Sequence, residues 1–221
     1  MSEYVTEVVT FNLRDGITRD QLLDPASPHA AGLAKLKEQP GCEKVTWGLT
    51  IASMGPDPRK LLWFVEWDDI SSHKKFMAQP YYQSFVESVL VITDTSHPSG
   101  PILVRHYPLS PPLSTLLSSL PASDIAARKV EYLTTTVKPD IDVSQLATDL
   151  APLGQAVAAE GVPSTFAYSV EDAKAMLVLN LWKSIEQNMA FVGTEAFKMA
   201  AGPMGAASAG PPVVMHFEIL G

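Results

Sequence analysis

Two stretches of the chain are written on one plan. The apolar run Leu61–Trp67 ("LLWFVEW") leads into "DDISSHKKFMAQPYYQSF", and Met176–Trp182 ("MLVLNLW") leads into "KSIEQNMAFVGTEAFK". Aligning the tryptophans pairs Trp67 with Trp182, Phe76 with Phe191, and Phe85 with Phe197 or its neighbour. A chain that repeats a strand-to-helix passage is expected to fold as two like units, and its function is to be sought in what differs between them.

The surrounding pattern extends the repeat. Val5–Leu13 and Lys129–Lys138 are rich in β-branched residues and open each half as strands. After the first, Thr18 and Gln21 form a capping-box pattern, and Pro28 suits the first turn of a helix running to Gln39 and stopped by Pro40-Gly41. After the second, a helix is expected from Ser144 to Glu160, ended by Gly161 and Pro163. Val45, Trp47, Leu49 and Ile51 alternate with smaller or polar residues as a strand does, and Ser164–Val170 is the counterpart. The third strands are continuously apolar, which suggests cover on both faces. The last strands place His106 opposite His216 in the alignment.

The order βαββαβ, twice over, is that of the ferredoxin-like unit. The expected fold class is α+β, two tandem ferredoxin-like units packed sheet to sheet. The first is expected at 1–109 and the second at 129–221, with a Ser/Pro-rich linker at 110–128 carrying a helical turn around Leu113–Leu120. Ala201–Pro212, rich in Gly, Ala and Pro, reads as a loop.

Composition removes several function classes. The net charge of −8, without a basic cluster, argues against a nucleic-acid partner. The single Cys42 excludes an internal disulfide and a multi-cysteine metal site and fits a reducing compartment. The acidic N-terminus does not resemble a secretory leader, and no stretch is long and apolar enough for a membrane span, so a cytoplasmic location is expected. There is no HxxxH, HExxH or Cys pair, so no metal is expected, and any metal site would have to be assembled by the fold. Dinucleotide-loop and hydrolase-elbow patterns are missing too.

Trp67-Asp68-Asp69 followed by Phe76-Met77-Ala78-Gln79-Pro80-Tyr81-Tyr82-Gln83-Ser84-Phe85 resembles the third-strand-to-second-helix signature of the dimeric α+β barrel superfamily. It is most similar to the antibiotic biosynthesis monooxygenase family. The resemblance implies a cofactor-independent oxygenase acting on a hydrophobic aromatic or polyketide-type molecule of secondary metabolism, such as an electron-rich phenol or hydroquinone. It also implies a monomer with an internal pseudo-dimer, or a homodimer. One departure stands out: the family commonly carries His nine residues after the Trp, where this chain has Phe76 and Phe191. His73 lies one turn earlier, and the family role is not carried over to it.

The first half holds most of the aromatic and imidazole side chains, so candidates concentrate there. Trp47, Trp63, Trp67, Phe76, Tyr81 and Tyr82, with Asn180 of the second half, are candidate substrate-binding residues, of which the aromatic ones would otherwise be core. His106, His73 and His29 are candidate proton acceptors. The plain alternatives are a structural hydrogen bond shared by His106 and His216, solvation of His73 beside Lys74 and Lys75, and a surface position for His29. Asn180 and Glu66 interrupt apolar strands and require partners if buried. A cyclase, isomerase or decarboxylase on the same scaffold, or a non-catalytic binding or stress-related barrel, are the alternative functions.

Overall fold

A computed structural model describes residues 4–51 and 60–221. Met1–Glu3 of the N-terminal segment lie outside the described residues. The contacts divide the chain into two units, one running to Pro108 and also taking in Leu220–Gly221, the other comprising Leu109–Ile219.

The first unit runs β1 (Val5–Asn12), α1 (Arg19–Leu23), α2 (Pro28–Lys37), β2 (Cys42–Thr50), β3 (Lys60–Trp67), α3 (Ile70–Met77), α4 (Tyr82–Leu90), β4 (Ile102–Tyr107). Its sheet is antiparallel throughout: β1 lies between β3 and β4, and β2 pairs with the other edge of β3. The Thr18–Gln21 capping box is formed and starts α1. Ser27 caps α2 by accepting from the amide of Ala30 at 3.0 Å.

The second unit begins with α5 (Leu113–Ser118) and α6 (Ala122–Ile125), and Leu113, Leu116 and Leu117 of α5 are buried. It continues as β5 (Lys129–Thr136), α7 (Val143–Asp149), α8 (Ala151–Ala159), β6 (Ser164–Tyr168), β7 (Ala175–Trp182), α9 (Ile185–Val192), α10 (Glu195–Ala200), α11 (Gly202–Ala207), β8 (Val213–Ile219). The sheet repeats the first: β5 between β7 and β8, with β6 on the far side of β7.

Two expectations are corrected. The helix expected from Ser144 to Glu160 is two helices, because Pro152 has no amide to donate and sits where a new helix starts. The expected Gly/Ala/Pro loop contains α11, whose Met204 and Ala207 are buried, so tertiary burial overrides the weak glycine propensity.

Period 2 assigns the faces. Val5, Val9 and Phe11 of β1 join Leu61, Trp63, Val65 and Trp67 of β3 in one core with Leu33 and Leu36 of α2, Phe76 of α3 and Val89 of α4. All eight residues of β1 are buried, and so are all but Lys60 of β3. Leu220 packs on this core, and the last two residues pair with Trp47 through Leu220 N–H to the Trp47 carbonyl (2.9 Å) and Trp47 N–H to the Gly221 carbonyl (2.7 Å).

Close packing of α2 depends on Gly32. A Cβ there would stand 2.7 Å from Val89 and 2.9 Å from the Trp63 ring. Alanine favours a helix over glycine by about 1 kcal/mol, but overpacking against an indole wedged in a core costs about 1–3 kcal/mol. Gly32→Ala is therefore expected to lower the unfolding free energy measured in denaturant, with an unchanged m-value; equal or greater stability would show that Trp63 moves freely.

Candidate functional site

Glu7 faces the helices together with Val5, Val9 and Phe11, and its partner across the β1–β4 ladder is His106. Asp69 caps α3 by accepting from the amide of Ser71 at 2.7 Å, which places His73 and Phe76, three residues apart, on the buried side. His73 thereby reaches the strand residues: its Nδ1 is 2.7 Å from Nε2 of His106, and its Nε2 is 3.5 Å from Oε1 of Glu7. The indole N–H of Trp67 donates to Oε2 of Glu7 at 2.9 Å, and the Trp67 ring stacks on His73 with centroids 5.2 Å apart. Glu7, His73 and His106 are all buried, at 6%, 3% and 8% exposure.

With Glu7 ionised, both contacts are satisfied by one arrangement of protons. His73 directs an Nε2–H at the carboxylate, leaving its Nδ1 to accept from the Nε2–H of His106. The result is a one-way chain, His106 to His73 to Glu7, terminated by an anion that Trp67 also holds.

Glu7 and His73 form the polar end of a cavity of about 350 Å³, within the size range of small-molecule sites. Its walls are apolar: Val9 and Phe11 of β1, Trp63 of β3, Phe76 of α3, and Phe85 and Val89 of α4. Tyr82 also lines it, and burial first, then the charge of Glu7, pushes the Tyr82 phenol pKa up. Cys42 is raised to about 11, by burial first and then by Glu7, so it remains a thiol and is not an activated nucleophile.

Of the candidates from sequence, Trp63, His73, Phe76 and Tyr82 therefore line one cavity, with His106 and Trp67 directly behind its polar end. Tyr81 stands apart, donating its hydroxyl to Gln39 at 3.0 Å. His29 is fully enclosed in α2 rather than on the surface. It stacks edge-on to Trp47 at 4.3 Å and contacts the Leu22 carbonyl through Nδ1 at 2.9 Å. A carbonyl only accepts, so Nδ1 carries the proton; Nε2 has no partner among the described residues. Glu66 lies on the opposite strand face from Trp67 and bonds the Tyr4 hydroxyl. Asn180 belongs to the second unit, where it donates to Glu131 at 2.8 Å.

The second unit holds a variant of the same cluster. Glu131 accepts from the Trp182 indole at 2.9 Å and is opposite His216 in the β5–β8 ladder. At the position of His73, six residues after the Trp, stands Asn188, whose Oδ1 is 2.9 Å from Nε2 of His216. An amide oxygen only accepts, so His216 carries its proton on Nε2, as inferred for His106. There the chain stops: Nδ2 of Asn188 has no partner among the described residues. Glu7 was not singled out from sequence, although an acidic residue inside a β-branched strand of both halves, Glu7 and Glu131, was a legible signal.

His29 and His216 both have pKa values below the ordinary 6.5, chiefly through burial, opposed by the Leu22 carbonyl in one and by Glu131 in the other. The unfolded chain therefore binds more protons than the folded one as pH falls through about 6.5, and stability drops there. The contribution is complete above about pH 7 and diminishes toward the lower folded values. The slope of unfolding free energy against pH between about 5 and 7 is expected to be positive, and shallower in His29→Gln; an equal slope would show that His29 is not held neutral.

No protein-family model matches the chain, and no curated protein matches it significantly. Solved structures do. A candidate monooxygenase from Fusobacterium nucleatum matches over 100% of this chain and 94% of its own, with a TM-score of 0.64 at 10% identity. An anthrone oxidase-like protein matches over 100% and 92%, with a TM-score of 0.62 at 13% identity. A candidate chlorite dismutase matches over 100% and 96%, with a TM-score of 0.58 at 15% identity. The chain has the α+β fold of these dimeric α+β barrel proteins. At these identities the likeness establishes fold alone.

Proposed function

Given that fold, we propose that the first unit is a cofactor-independent monooxygenase site for a flat, hydrophobic aromatic or polyketide-type molecule of cytoplasmic secondary metabolism. The observation that carries this reading is the buried anion-terminated chain, Glu7–His73–His106, at the polar end of an otherwise apolar cavity. Such a cavity takes an aromatic skeleton and presents a base to its hydroxyl or activated C–H.

The chemistry is written from the substrate outward. Its proton passes to the Glu7 carboxylate, toward which His73 directs its Nε2–H, His73 itself being fixed in that tautomer by the Nε2–H of His106. The substrate anion supplies electrons to molecular oxygen and a C–O bond forms. The O–O bond then breaks with loss of water, so that one oxygen atom stays in the product as a carbonyl and two substrate hydrogens leave with the other. The apolar walls beside Glu7 lower the local dielectric and so strengthen the electrostatic contacts that hold the anion.

An oxygen-electrode assay with anthrones and hydroquinones tests this. His106→Ala is expected to lower kcat by about 10²- to 10⁴-fold, while His216→Ala leaves it within about twofold because the interrupted chain of the second unit has no part in the reaction. Turnover under strict anaerobiosis would replace the oxygenase reading with isomerisation, cyclisation or decarboxylation at the same base.

A further inference from the structure

We infer that Glu7, His73 and His106 also form a binding site for a divalent first-row transition-metal ion, occupied at the expense of the proton chain. Each of the three residues offers one ligand atom, and these atoms all lie within 4.8 Å of one another. Ligands bound to one ion at about 2.0–2.2 Å stand roughly 3–3.5 Å apart; the His73 Nε2 to Glu7 Oε1 separation is already 3.5 Å, and His106 Nε2, which meets the other ring nitrogen of His73 at 2.7 Å, has to turn to the Nε2 side to complete the set.

Chemistry supports the geometry. Two imidazoles and one carboxylate are a borderline set that suits Zn²⁺, Co²⁺ or Fe²⁺ and not Ca²⁺ or Mg²⁺, which take oxygen ligands. The indole N–H of Trp67 holds the second carboxylate oxygen, as an outer partner orients a ligating carboxylate. Glu7 and His73 face the cavity, so an ion held by three protein donors keeps an open position toward it. The second unit supplies an internal control: it retains the carboxylate, the indole and one imidazole, but Asn188 replaces the other imidazole, and a neutral amide is a poor ligand for these ions.

This inference rests on the proposed function only for its consequence. A metal occupies the lone pairs that the proton chain needs, so Zn²⁺, which has no redox chemistry of its own, is expected to inhibit turnover reversibly.

The test is a titration of the full-length, chelator-treated protein with Co²⁺ followed by visible absorption, and with Zn²⁺ by calorimetry. One ion per chain is expected. His73→Asn, which copies the second unit, and Glu7→Gln should each weaken binding by at least about 100-fold, since loss of an outer partner alone costs about 10–100-fold. His216→Ala should bind as the wild type does, and circular dichroism verifies that each variant is folded. Absence of saturable binding, or binding undiminished in both site variants, overturns the metal site and leaves the oxygenase reading intact. Stoichiometric binding with turnover that requires the ion instead supports the site and overturns the cofactor-independent reading.

Discussion

A carboxylate buried in the middle of a strand sets the terms for each unit. Removing such an ion from water carries a penalty of several kcal/mol unless donors meet it. In the first unit the donors are the indole of Trp67 and the imidazole edge of His73; in the second they are the indole of Trp182 and the amide of Asn180. This explains why the two tryptophans that anchor the repeat are more than apolar filling. Each closes the end of the third strand and places its one polar atom where the first strand of its unit needs a donor. A phenylalanine would fill much of the volume and leave the carboxylate short of a hydrogen bond worth about 1.5–3 kcal/mol.

Strand order was legible because duplication made it so. A single run such as Leu61–Trp67 is ambiguous between a buried strand and part of a helix, but the same run before the same helix twice fixes its role. The Thr18–Gln21 cap was legible for a local reason, since Thr18 satisfies an amide three residues on; Ser27 and Asp69, not singled out from sequence, cap in the same local way. The break at Pro152 and the short helix at Gly202–Ala207 were harder to see, since both depend on what the segment packs against rather than on its own residues.

The candidate site was half legible. His73 and His106 stood out as residue types, and Trp63, Phe76 and Tyr82 as aromatic material, yet nothing local brings residues 7, 73 and 106 together. Their meeting follows from register, which sets Glu7 against His106, and from the capped turn at Asp69, which aims His73 inward. His29 shows the converse. Its place at a helix start suggested exposure, but the approach of α2 to Trp47 and Trp63 encloses it, because the stripe of α2 that faces the sheet includes the helix's first turn.

The copies differ most where chemistry is concerned. Their shared carboxylate, indole and strand histidine answer to a common fold, and such features alone are poor grounds for assigning activity to either. What separates them is the side chain on the helix after the third strand, the imidazole of His73 on α3 against the amide of Asn188 on α9, and a third-strand position, Val65 against Asn180. An imidazole can accept a proton on one nitrogen while releasing one from the other, and so passes charge along a chain. An amide oxygen can only accept, so Asn188 satisfies His216 and ends the chain there. The walls diverge in the same sense: at the positions of Phe11 and Trp63, the ladder register and the tryptophan alignment place Thr135 and Val178 in the second unit. Large aromatic walls therefore lie beside a continuous hydrogen-bonded chain in one copy, and smaller side chains beside an interrupted one in the other.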